Sequence, residues 1–67
     1  MVGASQVARR VRELTKGREQ IEFGFLVKTI YGQFPSELRP IQRAIVETEL
    51  TETGWFRRPR DTVWEKG

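Results

Sequence analysis

The chain has 67 residues, enough for one domain, and a chain of this length buries only about 60% of the surface that its unfolded form exposes. It contains no Cys and no His, which excludes disulfides, Cys/His zinc sites, thiol nucleophiles and histidine proton shuttles. The net charge is +3 and the isoelectric point is near 10.0, so the protein is modestly basic. We therefore expect a single domain over 1–67 that is not an enzyme, has no cofactor or metal, and takes no small-molecule substrate.

The sequence also argues against a membrane partner. Its first residues, MVGASQVARRVREL, lack the apolar segment of a secretory signal, and no apolar run approaches the ~20 residues that span a bilayer. The absence of Cys fits a reducing compartment. These features predict a cytoplasmic protein.

Both ends of the chain are basic and the middle is acidic. Residues 1–18 carry five cations against Glu13 alone, and residues 55–67 carry four cations against two carboxylates. Residues 36–54 carry two arginines against four glutamates. If the two ends meet in space, they form one positive face that attracts a polyanion. The plainer interpretation is a solvated surface that keeps a small protein in solution.

The first predicted element is a helix over residues 5–16, with Ser5 as its N-cap and Gly17 as its stop. Its apolar residues recur at the spacing of one helical face, and these are Val7, Val11 and Leu14. The opposite face is basic and consists of Arg9, Arg12 and Lys16. Such a helix suits a position between a core and phosphates, and equally one between a core and water.

Residues 19–34 fit two structures. The alternation of apolar residues from Ile21 to Tyr31 is typical of a strand. The alternative is a helical stripe, formed by Phe23, Leu26, Val27, Ile30 and Phe34. The distance from Gly17 to Pro35 favours a helix, of about 12 residues. In either structure this segment is the centre of the core.

A third helix is predicted over residues 40–53, after a connection in which Ser36 can cap and before a stop at Gly54. Pro40 fits its first turn, where a missing N–H matters least. One apolar side consists of Ile41, Ala44, Ile45 and Thr48, and the nearly opposite side of Val46 and Leu50. Two apolar sides predict a helix that lies between the core and something else, either the aromatic segment that follows or a second copy of the chain.

The segment TGWFRRPRDTVW predicts a β-hairpin over residues 55–64. Its turn is Arg58-Pro59-Arg60-Asp61, and a proline at the second position favours a type I turn within a longer loop. In the simplest register Trp55 faces Trp64, Phe56 faces Val63 and Arg57 faces Thr62, so that the two tryptophans hold the base of the hairpin. The arginines then lie near its tip, where Asp61 can pair with Arg58.

The most informative polar residues begin the 40–53 helix, and they are Arg39, Gln42 and Arg43. A DNA-recognition helix commonly presents its N-terminal residues to base edges, where Arg pairs with guanine and Gln with adenine. The structural alternative is an Arg43–Glu47 pair at i, i+4. We interpret the glutamates of this helix as a solvated acidic face rather than a metal site, and these are Glu47, Glu49 and Glu52.

From Ser36 onward, PSEL, RPIQRAIVETELTETGWFRR and PRDTVW resemble the end of a winged helix-turn-helix domain. The matching positions of the recognition helix and the wing are Ile41, Ala44, Ile45, Leu50, Glu52, Thr53, Gly54, Trp55 and Phe56. The resemblance implies an α+β fold in which two to three helices precede a C-terminal β-hairpin. If 19–31 is the second helix, 5–16 is the first, 40–53 is the recognition helix and 55–64 is a basic wing.

The resemblance implies a small sequence-specific or architectural protein that binds double-stranded DNA, such as a regulator or an excision factor. The expected DNA-binding residues are Arg9, Arg12, Lys16, Arg39, Gln42, Arg43, Arg57, Arg58 and Arg60. The alternative is a protein-interaction module or inhibitor that uses exposed Trp55, Phe56 and Trp64 as anchors. A thin core and the side formed by Val46 and Leu50 further predict a symmetric homodimer.

Overall fold

The structure is a computed structural model that describes residues 3–67, so the predicted domain over 1–67 includes two residues outside the described part. In chain order the helices and strands are α1 (Ala4–Thr15), β1 (Gln20–Glu22), α2 (Phe23–Tyr31), a 3-10 turn (Pro35–Glu37), α3 (Pro40–Glu52), β2 (Trp55–Arg57) and β3 (Val63–Lys66). The predicted α+β fold, with three helices and a C-terminal hairpin, is confirmed. Within residues 3–67, no helix has the length and apolar character to cross a membrane.

Helix α1 follows the predicted pattern, with a different cap. Val7 and Val11 are fully buried. The helix begins one residue before Ser5, and the cap is Gly3, whose N–H donates to Oε1 of Gln6 at 3.3 Å. Thr15 is buried as well. Its hydroxyl donates to the carbonyl of Val11 at 2.8 Å, so the burial leaves no unsatisfied donor.

The ambiguous segment contains both predicted structures in succession. Glu22 is still extended, at φ −84° and ψ 135°, and the helix begins at Phe23, whose N–H donates to the carbonyl of Thr62 at 2.9 Å. Ile21 on the strand and Leu26 on the helix both enter the core. Helix α2 has 9 residues and ends at Gly32, which takes φ 70°. Phe34, predicted to belong to the core stripe, lies beyond the helix and is 60% exposed.

Helix α3 starts at Pro40 as predicted, but Ser36 does not cap it. Ser36 lies in the 3-10 turn, and the residue before the helix is Arg39, whose N–H donates to Oε1 of Gln42 at 2.9 Å. Of the two predicted apolar sides, the chain covers the smaller one, formed by Val46 and Leu50. Most of the other side faces outward, with Ile41 65% exposed, whereas Ile45 is half-buried and packs against the core.

The three strands form one antiparallel sheet with β3 in the middle, in the order β1-β3-β2. The predicted hairpin register is wrong by two residues, since Trp55 pairs with Lys66 and Arg57 pairs with Trp64. A shift of two keeps every side chain on its predicted face, so both tryptophans still point to the core. Strand β3 is also paired along its other edge, with β1, where Ile21 lies opposite Trp64.

The hairpin turn is also of a different type. The N–H of Asp61 donates to the carbonyl of Arg58 at 3.1 Å, which closes a turn over the predicted four residues. Arg60 takes φ 68°, which is the left-handed value of the third residue in a type II turn rather than a type I turn. A proline at the second position fits both types, so Pro59 did not distinguish them.

Within residues 3–67, the core contains ten buried apolar side chains from all three helices and all three strands: Val7, Val11, Ile21, Phe23, Leu26, Val27, Val46, Leu50, Trp55 and Trp64. Trp55 and Trp64 are 3% and 6% exposed, so they anchor the hairpin to the helices and do not present an interface. Phe56 points to the other side of the sheet and is 48% exposed.

Candidate nucleic-acid interface

A cleft of about 530 Å³ separates α2 and the first turn of α3 from the hairpin. Its lining combines aromatic and charged side chains and consists of Glu22, Phe23, Gly24, Lys28, Phe34, Pro35, Arg43, Arg57, Asp61 and Thr62. Two of the predicted DNA-binding residues, one on the helix and one on the hairpin, therefore line the same cleft.

Arg43 is held in place on the helix side of the cleft. Its Nη2 donates to the carbonyl of Pro35 at 3.2 Å, and its guanidinium lies over the ring of Phe23, 5.0 Å from the centroid. These contacts use one N–H of the five that a guanidinium carries. The residue is exposed, so the remaining donors are available to an anion. The predicted Arg43–Glu47 pair is not among the ion pairs of residues 3–67.

Arg57 is held on the hairpin side in the same manner. Its Nη1 donates to the carbonyl of Asp61 at 3.0 Å, and its guanidinium lies 6.0 Å from the centroid of the Trp64 ring. Because Trp64 is buried in the core, the position of Arg57 is coupled to the packing of the domain. A cation over an aromatic face gains about 0.5–1 kcal/mol at an exposed site.

Lys28 is a third cation of the cleft that the sequence pattern did not single out. Its Nζ lies 4.6 Å from the centroid of the exposed Phe34 ring. The sequence carries no signal that distinguishes it, because Lys28 is the single lysine of a short helix. The cationic residues of the cleft thus come from three elements, α2, α3 and β2.

Two carboxylates also line the cleft and reduce its net charge. Asp61 uses Oδ1 to accept the N–H of Val63 at 3.0 Å, so it closes the turn. It does not pair with Arg58 as predicted, because Arg58 turns to the outer face of the sheet and lies 3.4 Å from Glu65. Glu22 is the other carboxylate and precedes α2. The three cations exceed the two acids by one.

The structure places Gln42 and Arg39 at the start of α3, but in unequal situations. Gln42 is half-buried, and both ends of its amide are engaged, since Oε1 accepts the Arg39 N–H and Nε2 donates to Gln33 at 3.3 Å. Base reading by Gln42 requires that these bonds break. The side chain of Arg39 is exposed, and only its backbone N–H is used by the cap.

The basic stripe of α1, formed by Arg9, Arg12 and Lys16, does not line the cleft. Arg12 lies 3.8 Å from Glu49 of α3. Glu49 and Arg43 are six residues apart, which separates them by about 120° around the helix axis. Helix α1 and the cleft therefore flank different sides of α3, and a single positive face that joins α1 to the hairpin stays a prediction.

The remaining ionisable groups do not define a catalytic or metal site. In the part of the chain that the structure describes, no cluster of three Asp, Glu, His or Cys residues is arranged to hold a metal ion. Burial raises the pKa of the Tyr31 phenol above its ordinary value of 10.0. Tyr31 packs at the edge of the core and is not part of the cleft.

Comparison of the chain with protein-family models, with curated proteins and with solved structures gives no significant match.

Proposed function

We propose that the protein binds double-stranded DNA through the cleft between α3 and the hairpin, as a small regulator or excision factor of the winged-helix type in the cytoplasm. The order of elements supports this proposal, because three helices precede a two-stranded hairpin in the described residues, and Arg39 and Arg43 lie at the start of the last helix. The strand between α1 and α2 completes the sheet by pairing with β3.

The observation that carries the proposal is the pair of restrained arginines on the two sides of the cleft. Arg43 and Arg57 each donate to a backbone carbonyl, and each lies over a buried aromatic ring. A guanidinium that is already ordered loses less side-chain entropy on binding, and its planar fork matches phosphate oxygens. Two such groups on separate elements suit the backbone of a duplex.

The acidic C-terminal half of α3 limits which part of this helix can contact DNA. Its first turn adjoins the cleft, whereas its C-terminal half carries Glu47, Glu49 and Glu52 and no cation. Phosphates repel those carboxylates, so contact is restricted to the N-terminal end of α3 and to the hairpin. Arg39, which immediately precedes the first turn, is then free to reach a base edge.

The proposal is tested by fluorescence anisotropy with a labelled random duplex at two salt concentrations. Phosphate contacts make log K fall linearly with log salt, by about 0.9 per neutralised phosphate. The triple variant Arg57→Ala/Arg58→Ala/Arg60→Ala should bind every sequence more weakly and flatten that slope by up to about 3. An affinity for DNA that does not change with salt, or a triple variant that binds as tightly as the parent, contradicts the proposal.

A further inference from the structure

The outward side of α3 and the adjoining side of α1 form an apolar patch that the rest of the described chain covers only in part, since Ile45 packs against the core. Its centre is Ile41, which is 65% exposed. The other residues around this shallow groove are Ala4, Ala8, Ala44, Ile45, Thr48 and Glu49. An exposed isoleucine surrounded by alanines can bury apolar surface only against a partner.

We infer that this patch, here called the α1–α3 face, is the surface through which two copies of the chain associate. The homodimer predicted from the sequence used Val46 and Leu50, but both are fully buried in the core, so the opposite side of α3 takes that role. The inference concerns a surface apart from the cleft and does not depend on DNA binding.

The charges on the two halves of the α1–α3 face identify the second copy as the occupant. Residues 4–16 carry four cations against one carboxylate, whereas residues 44–52 carry three carboxylates and no cation. Among residues 3–67, Arg9 and Lys16 on one half make no ion pair, and neither does Glu52 on the other half. Glu47 lies about 40° around the helix axis from Arg43, so it belongs to the cleft side of α3 and not to this face. One surface therefore carries both a positive and a negative half, which makes it complementary to itself.

A dimer whose two-fold axis runs parallel to α1 and α3 brings the oppositely charged halves of the two copies into contact. It places α1 of one copy over α3 of the other, so the basic half of each copy meets the acidic half of its partner. A two-fold axis across the helices would instead place α1 over α1, with like charges in contact. Because Arg12 lies beside Glu49, the ends of α1 and α3 that carry Lys16 and Glu52 are neighbours, and Lys16 of one copy faces Glu52 of the second.

The same arrangement also fits the shapes of the side chains. Ala4 and Ala8 share a groove with Ile41 and Ile45, so they lie near the same end of the face. Rotation about the parallel axis keeps that end in place and brings Ile41 of one copy onto the alanines of the other copy's α1. A large residue then opposes small ones across the interface, as in close-packed interiors.

The size of the face indicates a weak dimer. Helices of 12 and 13 residues are about 18 and 20 Å long and lie side by side, which gives a footprint of roughly 400 Å² on each copy. Stable interfaces bury about 800 Å² on each partner, so association in the range of tens of micromolar is expected.

Sedimentation equilibrium of the wild type and of two charge-reversed chains tests the inference. The first variant is Lys16→Glu and the second is Glu52→Lys. Each variant alone should dimerise at least about tenfold more weakly than the wild type, because both contacts across the two-fold axis become repulsive. An equimolar mixture should associate as tightly as the wild type, because both contacts in the mixed dimer are attractive again.

Ile41→Asp supplies a second test that does not involve the charges. The side chain is exposed, so the variant should keep its far-UV circular dichroism and its melting temperature while its dimer dissociates. A wild type that stays monomeric to about 500 μM, where even a weak dimer forms, overturns the inference. A mixture that stays monomeric while the wild type dimerises also overturns it, and a monomeric wild type whose Ile41→Asp variant loses DNA affinity assigns the face to DNA instead.

Discussion

Trp64→Ala is the substitution that tests most directly what the tryptophans of the hairpin do. Trp64 lies on the central strand, pairs with Ile21 on one side and with Arg57 on the other, and is 6% exposed. A buried tryptophan removes about 150–250 Å² from water, which corresponds to about 4–6 kcal/mol at ~25 cal/mol per Å². Truncations of this kind cost about 3–5 kcal/mol.

That cost is comparable to the whole stability of the domain, which is about 3–10 kcal/mol for 67 residues. Trp64→Ala should therefore unfold the protein or leave it without a cooperative transition, as measured by urea denaturation followed by far-UV circular dichroism. Phe56→Ala is the matched control, because Phe56 is an aromatic residue of the neighbouring strand that is 48% exposed. It should cost about 1 kcal/mol or less.

Trp64→Phe distinguishes the contribution of ring packing to stability from the contribution of the indole N–H. The indole N–H is buried and has no hydrogen-bond partner within residues 3–67, and an unsatisfied donor costs about 1–3 kcal/mol. Phenylalanine loses part of the ring contact but removes that cost, so this variant should stay within about 1 kcal/mol of the wild type. If Trp64→Ala loses less than about 1 kcal/mol, the hairpin is not anchored as the structure indicates.

Three further outcomes are expected. Arg60 takes φ 68°, which costs a non-glycine residue about 1–2 kcal/mol, so Arg60→Gly should raise the melting temperature slightly and Arg60→Val should lower it. Gly32→Ala should cost about 1–2 kcal/mol in urea denaturation although nothing lies within 4 Å of an added Cβ, because only the backbone at φ 70° resists it. The phenol of Tyr31 should titrate above 10.0 by ultraviolet absorbance, and stability should fall as the pH rises past 10.0, because the unfolded chain then loses its proton first.

The architecture follows from features that are local in the sequence. The stripe of Val7 and Val11, the proline that opens α3 and the glycine after it specify two helices without any tertiary contact. The segment after Gly17 was ambiguous because it contains a strand and a helix without a glycine or proline between them. The pairing of Ile21 with Trp64 decides where the strand ends, and that contact spans most of the chain.

The candidate site was only partly predictable for the same reason. Arg43 and Arg57 were identified from their residue types and their elements, but their common cleft depends on how α3 packs against the sheet. Lys28 was missed, because a single lysine on a short helix has no distinctive spacing. Gln42 was identified as a base reader from its position, whereas in the structure its amide caps α3 and contacts Gln33.

We propose that the cleft contacts the phosphates of DNA through Arg43 and Arg57. The most direct measurement compares the salt dependence of duplex binding for Arg43→Ala/Arg57→Ala with that for Arg10→Ala/Arg18→Ala, which removes the same charge from residues outside the cleft. The cleft variant should flatten the slope of log K against log salt by about 2, while the control keeps the slope of the wild type. Equal slopes for the two variants, or a larger change in the control, would contradict the account.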